Sequence, residues 1–150
     1  MTEDHVTDHF TWAEAECHSD PPVPVPVERR QNVSSVCLEL ERVREEGGGW
    51  PLPVHRIYST REHNESLPGH ADHSMHLFGL AADVTPALKP DPSDPTGKRR
   101  IPVMTVRELF DVVLKVAQQP ESRIRYIKHY PEHHVHFDLR PRTTIITEGV

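Results

Sequence analysis

Fifteen prolines in 150 residues restrict this chain to short elements joined by loops. Proline lacks a backbone N–H and fixes φ, so it is excluded from helix interiors and central strands. The run Pro21-Pro22-Val23-Pro24-Val25-Pro26 is therefore expected to form an extended, polyproline-like arm on the surface. Pro90, Pro92 and Pro95, with Gly97, mark a second such stretch, an exposed loop over residues 89–100.

Between these breaks the pattern is mixed. Thr11-Trp12-Ala13-Glu14 reads as a capping box opening a short helix over 12–17, with Phe10 stapled onto Ala15. Val33, Val36, Cys37, Leu40 and Val43 recur at helical spacing, and Glu39, Glu41, Arg42, Arg44 and Glu45 fill the other face. Gly47-Gly48-Gly49 stops that helix. Thr105-Val106-Arg107-Glu108 is a second capping box, opening an amphipathic helix through Ala117. Val54–Ser59, Leu80–Val84, Arg123–Lys128 and His134–Arg140 read as strands, and His63–Gly79 as a loop. Helices and strands do not alternate regularly. The expected class is α+β, a small, mostly antiparallel sheet with flanking helices, in one domain over 1–150. A chain of this length buries about 68–70% of its unfolded surface, enough for a core.

Charge and composition exclude several functions. Lys and Arg number 17 against 23 Asp and Glu, a net charge of −6, with no basic run. That argues against nucleic acid as the partner. No stretch approaches the ~20 apolar residues of a membrane span. The first residues, MTEDHVTDHFTW, are acidic and lack the apolar region of a signal peptide. Synthesis in the cytoplasm is expected, with release of the phage type or association with a virion as routes outward. Cys17 and Cys37 lack zinc-knuckle spacing. They are read as two buried small apolar residues, with pairing open in an oxidising compartment.

The twelve histidines are clustered: four lie in His63–His76 and four in His129–His136. In the second cluster, His134-Val135-His136-Phe137-Asp138-Leu139 alternates strictly. A strand places Val135, Phe137 and Leu139 on the core and His134, His136 and Asp138 on the opposite face, towards a metal pocket or solvent. In the first cluster, His76 and Asp83 are separated by small residues at Gly79, Ala81 and Ala82, which let backbone pass close to a bound group. A His, an Asp and a later His make three protein ligands with a fourth position free, the donor set of a catalytic zinc site. The alternative is that Asp83 ends a strand and His76 belongs to a loop.

The string Ser74-x-His76-x-x-Gly79-x-Ala81-x-Asp83, followed by a late His-x-His, resembles the zinc D-Ala-D-Ala carboxypeptidase family, which shares its fold with Hedgehog signalling domains. Asp8–Glu14, and Ile57-Tyr58-Ser59-Thr60-Arg61 with Asn64, resemble the phage and bacterial branch, so the likeness spans most of 8–139. The resemblance implies a Hedgehog/DD-peptidase-like fold, zinc as cofactor, and ligands at His76, Asp83 and His136. It implies a substrate- and transition-state-binding role for Arg61, a guanidinium suited to developing oxyanion charge. The alternative is a surface charge closing a turn. Ser74 holds substrate or caps the loop. Relatives place an acidic residue or a His shortly before the last ligand. His134, on the face of His136, is the first choice as base or transition-state stabiliser, and Glu132 the second. Asp138 orients a ligand or is a plain exposed carboxylate.

The implied activity is hydrolysis of D-amino-acid-containing peptide bonds in bacterial peptidoglycan, as carboxypeptidase or endopeptidase. The expected partners are stem peptides or cross-links, with no membrane or nucleic acid, and the chain acting as a monomer. The rivals are a catalytically weak or inactive zinc-containing binding module of the same fold and a His-rich metal buffer.

Overall fold

The computed structural model describes residues 3–150. It opens with a two-stranded antiparallel ladder, β1 (His5–Thr7) and β2 (Phe10–Thr11), that runs into α1 (Trp12–Ala15). Both arms of the expected capping box are made: Thr11 Oγ1 accepts the Glu14 N–H, and Glu14 Oε1 accepts the Thr11 N–H at 2.9 Å. Phe10 and Ala15 are both buried in the core. The helix is two residues shorter than expected, ending at Ala15.

The proline arm is extended, but it does not lie wholly on the surface. Pro21, Pro22, Val23 and Pro24 are exposed, whereas Val25 is buried in the core. Cys17 and Val23 exchange backbone hydrogen bonds that tie the arm down. Cys17 and Cys37 are free and buried, and burial pushes the Cys37 thiol up to about 12.

Helix α2 (Arg30–Glu46) buries Val33, Val36, Cys37, Leu40 and Val43, as the spacing requires. Glu39, read from the pattern as part of the charged face, is fully buried instead. Its carboxylate accepts from Arg42 Nη1 at 2.6 Å, from the Ser122 hydroxyl at 3.1 Å and from the Arg123 N–H. This buried acceptor pins α2 to the chain entering the central sheet. Glu39→Ala leaves the Ser122 and Arg123 donors unmatched and is expected to cost about 2–4 kcal/mol in chemical denaturation.

The central sheet has five strands: β3 (Val54–Arg56), β4 (Ala81–Val84), β7 (Tyr126–Tyr130), β8 (His134–Asp138) and β9 (Ile146–Glu148), in the order β3-β4-β8-β7-β9. All pairs are antiparallel except β7 with β9. The class is therefore α+β, as expected, with a mostly antiparallel sheet. β9 had no signature in the sequence, because three residues are too few for a period. The expected loop 89–100 is flanked by a small ladder, β5 (Leu88–Pro90) with β6 (Arg100–Pro102). The expected loop 63–79 carries α3 (Arg61–Ser66) and a 3-10 turn over Met75–Phe78.

Helix α4 (Val106–Ala117), opened by the Thr105–Glu108 capping box, packs on β7, β8 and α2. Val135 and Phe137 on β8 join Leu109, Phe110 and Val113 of α4 in one hydrophobic cluster. That cluster takes one face of the sheet, so the other face is left to the polar residues of the same strands. Among the described residues, no helix is long and apolar enough to cross a membrane.

Candidate metal centre

His76, Asp83 and His136 converge from three separate segments. His76 sits in the 3-10 turn, whose first amides are capped by Ser74: its hydroxyl accepts the His76 N–H at 3.3 Å. The His76 ring is buried, with Nδ1 2.8 Å from the Ile57 carbonyl. That carbonyl can only accept, so Nδ1 carries the proton and Nε2 presents a lone pair. Nε2 lies 3.3 Å from Asp83 Oδ1. The Ser59 N–H donates to the His76 carbonyl at 3.0 Å, so segment 57–59 fixes both ring and backbone.

Gly79 makes the turn from His76 to Asp83. Its φ is +68°, and a Cβ there would lie 2.9 Å from Val33 Cγ2 of α2. The glycine thus serves a left-handed cap against a helix rather than approach to a bound group. Gly79→Ala is expected to cost about 1–3 kcal/mol in thermal or denaturant unfolding, from strain at positive φ plus the clash.

Asp83 on β4 and His136 on β8 are direct cross-strand partners. His136 Nδ1 is 2.9 Å from Asp83 Oδ1, and its Nε2 is 2.8 Å from Asp138 Oδ2. Asp138 is fully buried, and Arg140 grips it through Nε and Nη2, each at 2.8 Å. The Arg140 guanidinium stacks 3.7 Å over the Tyr126 ring. Asp138 is therefore not the plain exposed carboxylate: it accepts the His136 Nε2–H and leaves Nδ1 to the centre. A carboxylate behind a ligating imidazole orients the ring and raises its basicity.

One donor atom from each of His76, Asp83 and His136 lies within 4.8 Å of the others. A tetrahedral ion about 2.0–2.2 Å from each donor needs donors roughly 3.3–3.6 Å apart, so the set fits a metal after small adjustments. Two neutral imidazoles and one carboxylate suit a borderline divalent ion. Burial alone would raise the Asp83 carboxyl, but the electrostatic influence of the two neighbouring imidazoles, together with the hydrogen bond from His136, outweighs it and holds the group far below the usual carboxylate range. Burial lowers His76, against the pull of Asp83. Burial also disfavours charged His136, yet its bonds to Asp138 and Asp83 prevail and raise it. As pH falls through that raised value, a proton on His136 competes with the metal. Apparent affinity in a chelator competition is expected to fall about tenfold per pH unit below it. A flat profile between pH 8 and 5 would contradict this.

The centre opens on a cleft of about 770 Å³, lined by nine of the twelve histidines. His134 lies on its wall, with Nε2 3.9 Å from Asp83 Oδ1 and its ring stacked on Tyr130 at 4.3 Å. Burial holds it below the ordinary imidazole value. The alternation expected for His134, His136 and Asp138 is realised.

Two residues expected at the site are not brought to the centre. Arg61 is the first residue of α3, exposed and outside the cleft lining. Glu132 turns the β7–β8 hairpin at φ 63°, also exposed and outside the lining. The left-handed backbone at Glu132 belongs to the turn between β7 and β8, outside the strand that carries His136. The arginine at the cleft is Arg56 on β3, opposite Asp83 in register, with Nη2 donating to the buried Asn64 Oδ1 at 2.6 Å. Asn64 is held in turn by its amide on the Ala71 carbonyl at 2.9 Å. Neither Arg56 nor Lys128 stood out in the sequence. Tyr126-x-Lys128-x-Tyr130 alternates across a hairpin from His134-x-His136-x-Asp138, and that antiparallel pairing is the sequence signal that sets Lys128 opposite His136. Compared with known proteins, the chain matches no family model and no curated protein.

Proposed function

We propose that this protein is a zinc-dependent peptidase acting on D-amino-acid-containing peptide bonds of bacterial peptidoglycan, with a Hedgehog/DD-peptidase-like fold. The observation that carries the reading is the convergence of His76, Asp83 and His136 on one point, with no fourth protein ligand among the described residues, at the floor of an open cleft. Three N/O ligands facing a cleft is the pattern of catalytic rather than structural zinc. The resemblance of the Ser74–Asp83 string supplies the substrate class.

Zinc, when bound, supplies Lewis-acid polarisation of a carbonyl and acidifies water at the site. The chain's own residues divide the remaining work. Asp138 and Arg140 hold His136 in one tautomer, and the Ile57 carbonyl does the same for His76. His134 is neutral near pH 7 because burial lowers it, so its Nε2 takes a proton from the water that adds to the carbonyl carbon and passes it to the amine as the C–N bond breaks. Arg56, half-buried beside Asp83, takes the place at the cleft that the resemblance gave to Arg61, and its guanidinium stabilises charge on the substrate oxygen. His134→Ala is expected to lower kcat about 10²–10⁴-fold with metal content unchanged, and Arg61→Ala to change it less than about twofold.

The displacement of Arg61 and Glu132 from the cleft favours a second reading, a zinc-containing binding module with little or no catalysis. Hydrolysis of purified peptidoglycan fragments, followed by mass spectrometry in wild type, His134→Ala and Arg56→Ala, separates the two. Cleavage lost in both variants supports the peptidase. Bound zinc with no cleavage by the wild type supports the module.

A further inference from the structure

The register of the central sheet lines up four side chains across four strands. Arg56 on β3 faces Asp83 on β4, Asp83 faces His136 on β8, and His136 faces Lys128 on β7. Neighbouring strands lie about 4.8 Å apart, so a cation stands one strand away from the ligands on each side. Three cations and two carboxylates line the cleft: Arg56, Lys128 and Arg140 against Asp83 and Asp138. Both carboxylates are occupied by His136, and Asp138 also by Arg140. Arg56 hydrogen-bonds only the neutral Asn64 amide, but Asp83 stands opposite it in register and acts on its charge. Among the described residues the Lys128 ammonium has neither a hydrogen-bond partner nor a carboxylate; it rests 4.8 Å from the centre of the Tyr130 ring, the same ring that stacks on His134. Its charge is thus held at the cleft wall, half-buried and unmatched, in a chain whose net charge is −6. An anion is repelled by most of this molecule and attracted here.

We infer that Lys128 is a specificity-determining residue that selects substrates bearing a free carboxylate beside the bond to be cut. The substrate part of this statement rests on the peptidase reading; the anion-binding part does not. A carboxylate placed on the ammonium makes a charge-assisted hydrogen bond that a carboxamide makes only weakly. Tyr130 holds the ammonium by cation–π attraction without neutralising it, so the charge stays available.

The test is isothermal titration of N-acetyl-D-alanine and N-acetyl-D-alaninamide into the zinc-loaded full chain. Wild type, Lys128→Gln, Lys128→Met and Lys128→Arg are compared. Zinc favours the acid in every variant, so the readout is the change between variants. The acid-over-amide preference is expected to shrink about tenfold in Lys128→Gln and Lys128→Met, and to return in Lys128→Arg. In wild type it is expected to weaken as salt is raised. A preference unchanged in whichever neutral variant folds and holds zinc overturns the inference. If the preference falls with Lys128 but peptidoglycan is not cut, the anion site stands and the peptidase reading fails. If peptidoglycan is cut and the preference does not change, the peptidase reading stands and the role of Lys128 fails.

Discussion

His136→Ala is expected to reduce metal affinity about a thousandfold, leaving no stoichiometric ion after dialysis. Apparent binding energies of about 10–16 kcal/mol, shared among three or four ligands, give roughly 4 kcal/mol to each. Fold is expected to survive, since Val135 and Phe137 keep the other face of β8 in the core. Metal content by mass spectrometry and secondary structure by circular dichroism check the two halves separately. One ion per chain in His136→Ala would remove this residue from the centre.

Asp138→Ala is expected to act on both stability and metal. The carboxylate is fully buried between His136 and Arg140, so truncation removes its charge-assisted hydrogen bonds to both and costs about 1.5–3 kcal/mol, Arg140 itself keeping some contact with solvent. Loss of a carboxylate behind a ligating imidazole lowers metal affinity about 10–100-fold. The two effects are separable by pH. Burial alone would raise Asp138, but its bonds to Arg140 and His136 outweigh that and lower it. Its contribution to stability is therefore present above the ordinary carboxyl value of about 3.9 and lost as pH falls through the depressed value in the fold. Wild type and Asp138→Ala should converge in stability in strong acid and diverge towards neutrality. A constant gap across that range would point to packing rather than charge.

Much of the architecture was legible, because the signals were local. Capping boxes at Thr11 and Thr105 satisfy orphan amides wherever they occur, and the 3.6-residue spacing of Val33–Val43 leaves one face to bury. The alternation of His134–Leu139 fixed which residues share a face of β8. What was hidden depends on strand pairing. Arg56 lines the cleft because β3 lies beside β4, and Lys128 because β7 lies beside β8. Neither neighbour can be read from the segment itself. Glu39 was hidden for a related reason: its donors, Ser122 and the Arg123 amide, come from more than 80 positions away. Arg61, adjacent in sequence to segment 57–60, is the exposed first residue of α3, while His63 and Asn64 of the same helix line the cleft. Proximity to a motif is a poor guide where a helix starts between the motif and the residue.

The proposed peptidase would hold zinc on His76, Asp83 and His136 and depend on it to cut peptide bonds of the bacterial wall. The most direct measurement is release of amino groups from purified peptidoglycan by the full chain, after removal of metal with a chelator and again after one equivalent of zinc. The expected result is no release without metal, recovery with zinc, and no recovery in Asp83→Ala. Release by the metal-free protein, or full recovery in Asp83→Ala, would contradict it.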